Sequence, residues 1–197
     1  MINKKKVDKL YQMILNEDKQ LCGYQWEDLN PNENDTPKTI IDDFIIIFLG
    51  SAFGKYDENI EDYVPVANIY ERKEALIMFF EKVIDDLKNS KYDTLSLTCK
   101  ESKKATNKEK VEKLYQMVMN EDDYIKGKQW DEIIISENDT PKDIIGQFIY
   151  VFLDTSFEEY DKDFDEYNSI VNIPEQREVL IIFFEKIVKD LKEGEYD

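Results

Sequence analysis

The sequence predicts an all-α protein, built as a tandem duplication of a small three- to four-helix domain. The chain repeats itself at an offset of 104 positions. Its 6 Gly and 5 Pro in 197 residues are few, which favours long helices over many short strands. The apolar positions that the two copies share also follow a helical period and not the alternation of a strand.

The repeat is visible along almost the whole chain. Residues 7–93 align with residues 111–197 without a gap, and about half of the aligned positions are identical. The alignment predicts copy one at residues 1–93, a polar linker at 94–106 and copy two at 107–197. Two copies are too few for an open solenoid, which needs three or more repeats. We therefore expect two similar domains in tandem, packed on each other about a pseudo-twofold axis.

Three long helices are predicted in each copy. The first covers about residues 4–17 of copy one, where apolar residues recur at i, i+3, i+4 and i+7. Thr36 and Pro37 predict the start of the second, because a Thr hydroxyl can cap a helix and Pro suits the first helical position. The last covers about residues 70–88, after a predicted loop at residues 54–67 that has a counterpart 104 residues later.

The second helix is the most apolar segment of each copy. Seven apolar residues here are identical in both copies, whereas the positions between them change, for example Asp42 to Gly146 and Asp43 to Gln147. The shared spacing describes one broad helical face, and a strand would keep alternate positions instead. We therefore expect a buried central helix. The shared residues in copy one are Ile40, Ile41, Phe44, Ile45, Phe48, Leu49 and Phe53.

The residue types present argue against catalysis. The chain has no histidine, which removes the commonest general base, the Ser-His and Cys-His nucleophile systems and most zinc sites. It also has no Gly-rich phosphate loop and no Cys-x-x-Cys pair. We therefore predict a protein that is not an enzyme, with no catalytic residue, cofactor or metal. An enzyme that works through carboxylates alone stays an alternative.

A calcium loop can be weighed residue by residue. Asp161, Asp163 and Asp165 alternate as ligands of an EF-hand do. However, Glu166 stands where such a loop needs Gly, and Asn172 stands where it needs a bidentate Glu. The pattern therefore disfavours a calcium site.

The compartment is predicted from two further features. Cys22 and Cys99 have no partner positions in the repeat, so we expect no disulfide and a reducing compartment, the cytoplasm. The basic N-terminus is followed by no apolar run, which argues against a signal peptide. The longest apolar stretch, at residues 44–49, is far too short to span a bilayer.

The charge points to the kind of partner. The formal net charge is −18, divided into −7 for copy one, +2 for the linker and −13 for copy two. Such a field repels nucleic acid and membranes and attracts basic surfaces. The sequence therefore predicts a binding protein that neutralises a basic protein, for example a toxin nuclease, as bacterial toxin-immunity proteins and nucleic-acid mimics do. Two alternatives stay open: a helical adaptor that binds through an apolar groove between helices, and acidity that serves solubility alone.

The candidate partner-binding residues lie between the second and last helices, where acids alternate with aromatic residues. Tyrosines provide rigid contact area, and carboxylates pair with Arg and Lys of a basic surface. A solvated loop with tyrosines folded back onto the helices is the alternative. Trp26 and Trp130 are expected in the core instead. The candidates are Tyr56, Asp57, Glu58, Glu61, Asp62 and Tyr63 in copy one, and Tyr160, Asp161, Asp163, Asp165, Glu166 and Tyr167 in copy two.

Overall fold

The fold is known here from a computed structural model, and it is predominantly helical. The structure describes residues 2–18, 26, 28–32, 34–51, 53–57, 59, 62–92, 106–121, 130–136, 138–155, 158–161, 166–169 and 172–196. Within these ranges there are six α-helices and two short β-hairpins. The helical class predicted from the sequence is therefore confirmed. No helix among these residues has both the length and the apolar character needed to cross a membrane.

The first half contains three helices and one hairpin. Helix α1 and helix α2 are followed by an antiparallel hairpin of strands β1 and β2, and then by helix α3. The segment predicted as a loop thus contains two four-residue strands. Asp and Glu are depleted in strands, which hides such a short hairpin in the sequence. The bounds are α1 Lys4–Leu15, α2 Pro37–Ser51, β1 Gly54–Asp57, β2 Asp62–Pro65 and α3 Ile69–Lys88.

The second half has the same elements in the same order. Each of its α-helices and strands begins 104 residues after its counterpart, and a 3-10 turn occupies Trp130–Glu132. Strands β3 and β4 again pair antiparallel with each other alone. The bounds are α4 Lys108–Met119, α5 Pro141–Thr155, β3 Glu158–Asp161, β4 Glu166–Ser169 and α6 Ile173–Glu193.

The α3 helix starts with a capping box that also holds α1. The Asn68 side chain accepts from the Glu71 backbone N–H over 3.0 Å, and Glu71 Oε2 accepts from the Asn68 N–H over 3.2 Å. Lys6 of α1 lies 2.8 Å from the same buried carboxylate. Because Lys6 and backbone N–H groups bind the charged form, the pKa of Glu71 is lowered.

The α6 helix repeats this arrangement. Asn172 and Glu175 form its capping box, and Lys110 of α4 lies 3.1 Å from the buried Glu175 carboxylate. Burial raises the pKa of Glu175, but hydrogen bonds from Asn172, Lys110 and Asn107 outweigh it and the net shift is downward. One acid in each half therefore caps its long helix and joins it to the first helix of that half.

The two halves meet through α3 and α6, and their buried residues form a single cluster. Six aromatic rings cross this cluster in a row whose neighbouring centroids lie 5.3–6.2 Å apart. The central pair, Phe80 and Phe184, stacks at 5.3 Å with an interplanar angle of 29°. In order, the row is Trp26, Phe44, Phe80, Phe184, Phe148 and Trp130.

Ion pairs across the junction come in reciprocal sets. In each set, a lysine of the first half pairs with a glutamate of the second, and the equivalent lysine of the second half pairs with the equivalent glutamate of the first. This reciprocity means that α3 and α6 run antiparallel about a pseudo-twofold axis. Half-exposed pairs of this kind contribute little energy each, and they serve mainly to define the arrangement. The pairs are Lys88–Glu185 and Lys192–Glu81, both 2.8 Å, and Lys38–Glu121 at 3.5 Å with its counterpart Lys142–Glu17. The division into two domains stays a prediction, since one cluster of buried residues serves both halves.

We expect Phe80→Ala to lower the free energy of unfolding by about 3–5 kcal/mol, the usual cost of removing a buried ring. Both halves should lose stability together, because Phe80 packs on Phe44 and on Phe184. Denaturant unfolding is measured by fluorescence in the single-tryptophan variants Trp26→Phe and Trp130→Phe. Ile46→Ala, at a 61% exposed position of α2, is the control and should cost little. A shift confined to the Trp26 transition would contradict a shared core.

The lowered pKa values of Glu71 and Glu175 predict acid sensitivity. A carboxylate whose folded pKa lies below its unfolded value, about 4.3, stabilises the fold above that pH. This contribution is lost as the pH falls through the folded pKa. We therefore expect stability to drop below about pH 5. The double variant Glu71→Gln, Glu175→Gln should show a shallower drop, and the exposed control Glu112→Gln should not. Parallel pH profiles for all three proteins would refute this role.

Candidate functional site

The predicted partner-binding residues fall in the two hairpins. The backbone register places Tyr56 opposite Tyr63 and Asp57 opposite Asp62. In the second half it places Tyr160 opposite Tyr167 and Asp161 opposite Glu166. Glu58, Glu61, Asp163 and Asp165 lie outside the described residues.

Other candidates from the sequence have structural roles. Trp26 and Trp130 are buried and stack on Phe44 and Phe148 at centroid distances of 5.3 and 5.7 Å, which confirms their assignment to the core. Asn172, the position at which a calcium loop would need Glu, caps α6 instead by accepting from the Glu175 N–H over 2.9 Å. The two tryptophans and Asn172 are therefore structural residues and are not candidates for partner binding.

A second acidic region, which the sequence interpretation missed, lies where the start of α2 meets the end of α6. The Tyr196 hydroxyl joins the two by donating to Asp42 Oδ1 over 2.6 Å. Carboxylate oxygens of Asp190, Glu193 and Glu195 lie within 4.8 Å of one another. We call this region the acidic patch, and it comprises Asp35, Asp42, Asp43, Asp190, Glu193 and Glu195.

The electrostatics of Asp43 connect it to the patch. Partial burial raises the pKa of the Asp43 carboxyl, and the charges of Asp35 and Asp42 raise it further. Asp35 is held in place because its Oδ2 accepts from the backbone N–H and the side-chain amide of Asn32, over 2.7 and 2.8 Å. These three carboxylates therefore repel one another at the start of α2.

Tyr196 reports the same negative potential from the other side of the patch. Burial raises the pKa of its phenol most strongly, and the hydrogen bond to Asp42 adds to this. The charges of Asp42, Asp190 and Glu195 act in the same direction, because each disfavours a phenolate. The hydrogen bond from Tyr196 to Asp42 therefore places the segment that follows α6 beside the first turns of α2.

Lysines offset part of this charge. Three of the six carboxylates have a lysine partner, and among the described residues no Lys or Arg forms an ion pair with the other three. The pairs are Lys38–Asp42 at 2.9 Å, Lys186–Asp190, and the exposed Lys189–Glu193 at 3.8 Å. Asp190 is the most buried of the group, and because an ammonium already neutralises it, Asp190, Glu193 and Glu195 are a poor fit to a resident metal ion.

The equivalent place in the other half keeps two of the six acids, Asp139 and Asp86. There, Gly146 and Gln147 replace Asp42 and Asp43, and Lys91 replaces Glu195. The equivalent acid, Asp86, is neutralised by both Lys82 and Lys91. The six equivalent positions are occupied by Asp139, Gly146, Gln147, Asp86, Asn89 and Lys91.

The sequence did contain a signal for this patch. Asp42 and Asp43 change to neutral residues between copies, and Lys91 stands in the position of Glu195, whereas the core positions stay apolar. Divergence in charge at exposed positions marks a surface that the two copies do not share. What the alignment does not contain is the proximity of Asp42 to Tyr196, which are far apart in sequence.

The fold and the patch define a class, an acidic helical protein whose two similar halves share a core and differ in surface charge. No family model, curated protein or solved structure was found to match this chain.

We expect Asp43→Asn to stabilise the protein slightly. An acid whose folded pKa is raised weakens the fold above that pKa, and this cost vanishes as the pH falls below it. The gain in unfolding free energy should therefore appear at pH 7, at up to about 0.5 kcal/mol for a surface site, and be absent near pH 3. Glu178→Gln on α6 removes the same charge from another exposed site and should give no such gain. A loss of stability in Asp43→Asn would contradict the repulsion.

Proposed function

We propose that this protein binds and neutralises a basic protein, with the acidic patch as part of its contact surface. The observation that carries the proposal is the one-sided charge of the patch. Asp42, Asp43 and Glu195 crowd one site, and their equivalents are Gly146, Gln147 and Lys91. Two halves that share a core would give similar surfaces, so this difference calls for a reason outside packing.

The energetics of the patch support a role in binding. Asp43 lies at an exposed position beside Asp35 and Asp42, whose negative charges help to raise the pKa of its carboxyl. Residues that weaken a fold are typical of functional surfaces, because function and stability place different demands on the same positions. A Lys or Arg supplied by a partner would relieve this repulsion. Relief of the electrostatic repulsion that destabilises the free protein would then add to the free energy of binding.

The total charge supports the same proposal through association kinetics. A formal charge of −18 on 197 residues produces a long-range field that attracts positively charged proteins. Complementary charge speeds encounter and suppresses unsuitable partners. The hairpin acids, such as Asp57, Asp62, Asp161 and Glu166, add to this charge; the hairpins follow the end of α2 and precede the start of α6, so they are a second candidate contact, separate from the acidic patch.

The finer part of the proposal concerns the partner and its setting. A basic protein that holds nucleic acid, such as a toxin nuclease, presents the positive groove that an acidic helical surface can occupy. We propose a cytoplasmic inhibitor of that kind, in the manner of bacterial toxin-immunity proteins, whose two halves arose by tandem duplication. After duplication, one half kept acids where the other lost them, which fits a single specialised contact surface.

The test is affinity capture by the tagged full chain, at low salt and at about half-molar salt. The patch variant carries Asp42→Asn, Asp43→Gln, Glu193→Asn and Glu195→Lys, and keeps an acceptor for Tyr196. A matched control changes the charge equally at exposed acids elsewhere: Asp8→Asn, Asp28→Asn, Glu132→Gln and Glu178→Lys. We expect the wild type and the control to capture one basic protein whose activity is inhibited in the complex. The patch variant should lose at least about tenfold in affinity, since four lost charge contacts exceed the energy of one tenfold step.

Other outcomes have definite meanings. Capture of neutral or acidic proteins, unaffected by salt and by the patch variant, would overturn the proposal and favour the adaptor. The patch variant could bind normally while a variant with Asp161, Asp163, Asp165 and Glu166 neutralised does not bind. That result would support a basic partner and would assign the contact surface to the second hairpin instead of the acidic patch. Salt separates the two functions because it screens exposed charges and leaves apolar contacts largely unaffected.

A further inference from the structure

Arginine is rare in this chain, and one of the arginines is buried in the first half. Only two of the 26 basic residues are arginines, Arg72 and Arg177. Arg72 lies in the first turns of α3 and is 7% exposed. Arginine is the basic residue best suited to buried positions and to the planar recognition of carboxylates and phosphates. The burial of Arg72 therefore raises the question of what its guanidinium binds.

The guanidinium of Arg72 has one hydrogen-bond acceptor within the described part of the chain. Its Nη1 donates to the carbonyl of Gly50, in the last turn of α2, over 2.7 Å. Arg72 Nε is fully buried and has no acceptor. Because Nη1 is the nitrogen that binds Gly50, the edge formed by Nε and Nη2 is the part of the guanidinium that still has N–H groups to donate.

The charge of Arg72 is not neutralised by any described carboxylate. Among the described residues, no Asp or Glu forms an ion pair with Arg72, and burial alone lowers the pKa of its guanidinium. The adjacent acid, Glu71, accepts instead from Lys6 and from the backbone N–H of Asn68. The Gly50 carbonyl supplies only the partial negative charge of a helix C-terminus. A buried charge without a counter-ion is strongly destabilising, so an anion at Arg72 would stabilise the fold.

The equivalent place in the second half separates the need for an acceptor from the need for a charge. Gln176 occupies the position of Arg72, and its Nε2 is also buried without an acceptor. Within the described ranges, these two nitrogens are the only buried side-chain polar atoms that lack a partner. A water molecule can satisfy a neutral amide, but it does not neutralise a guanidinium. The first half therefore requires an anion at a place where the second half does not.

The surface beside Gly50 gives access to this place. Gly50 is exposed, and a Cβ there would have no heavy atom within 4 Å. The second half carries Asp154 at the equivalent position, whereas the first half has no side chain there to pair with Arg72. The guanidinium that reaches the Gly50 carbonyl therefore lies next to open surface, from which a small ion can approach.

We propose that Arg72 is the centre of a binding site for a small oxyanion, at the junction between the end of α2 and the start of α3. Two oxygens of a carboxylate or a phosphate match the Nε–H and Nη2–H groups, so the ion binds this edge in a bidentate manner. Such contact requires an arginine, because a lysine would offer only a point charge. The site uses no residue of the acidic patch and does not depend on the proposed function.

The test follows the arginine Nε–H signals of the full chain by ¹H–¹⁵N NMR. Because the chain contains two arginines, it gives two such signals, and Arg72→Gln identifies the one from Arg72. The protein is titrated with sodium phosphate, sodium formate and sodium chloride at equal ionic strength. We expect a saturable shift of the Arg72 signal, and not of the Arg177 signal, in phosphate or formate. A response to phosphate alone would identify phosphoryl groups as the ligand, and a response to formate would identify carboxylates.

Thermal unfolding in the same salts provides matched controls. Arg72→Gln introduces the residue that the second half carries at this position, so the fold accommodates it. Arg177→Gln removes the same charge from an arginine whose Nη1 donates to Ser90 Oγ over 2.7 Å. Phosphate also stabilises proteins by exclusion from their surface, and this effect is common to all three proteins. We expect the wild type and Arg177→Gln to show a further, saturable rise in midpoint that Arg72→Gln lacks.

Four results would overturn the proposal. Parallel shifts of both Nε–H signals would report ionic strength alone, and an Arg72 signal unaffected by phosphate and formate would leave water as its acceptor. An equal response to chloride would show a point charge without the bidentate edge. An equal rise in midpoint for Arg72→Gln and the wild type would place the ion elsewhere. None of these results involves the acidic patch, so the proposed function is tested separately.

Discussion

The stacking of Phe80 on Phe184 is the contact on which the rest of the structure depends. These two rings join the aromatic residues of both halves into one row that ends at Trp26 and Trp130. They also bring α3 and α6 together in the antiparallel arrangement in which the reciprocal lysine–glutamate pairs can form. A half of about 90 residues buries a small core, so a shared aromatic junction supplies stability that each half would lack.

The shared junction also accounts for the position of the acidic patch. Because the end of α6 crosses onto α2, the last residues of the second half lie beside Asp42 and Asp43 of the first. At the equivalent positions of the other half, the sequence has Gly146 and Gln147 in place of Asp42 and Asp43, and Lys91 in place of Glu195. The two halves therefore present two equivalent places around one core, and only one of them carries Asp42, Asp43 and Glu195.

Much of the fold was predictable because it depends on local sequence. The helical period of Ile40, Ile41, Phe44 and Ile45 identified a buried helix, and Thr36 with Pro37 identified its first turn, where the structure begins α2 at Pro37. The hairpins were missed because their strands are four residues long and rich in acids. Only part of the candidate site could be predicted from the sequence. The pairing of Asp57 with Asp62 depends on the register of the hairpin, and the acidic patch depends on the position of Asp42 beside Tyr196.

The sequence by itself determined the helices, their caps, the buried face of each helix and the strong negative charge, because each of these depends on residue types at close spacing. Tertiary structure alone decided which helices meet, and with that the shared core and the position of Tyr196 beside Asp42. The physical reason is that contacts between residues such as Asp42 and Tyr196, or Phe80 and Phe184, join distant parts of the chain. Their formation depends on how whole helices pack, and no local pattern of residues encodes that packing.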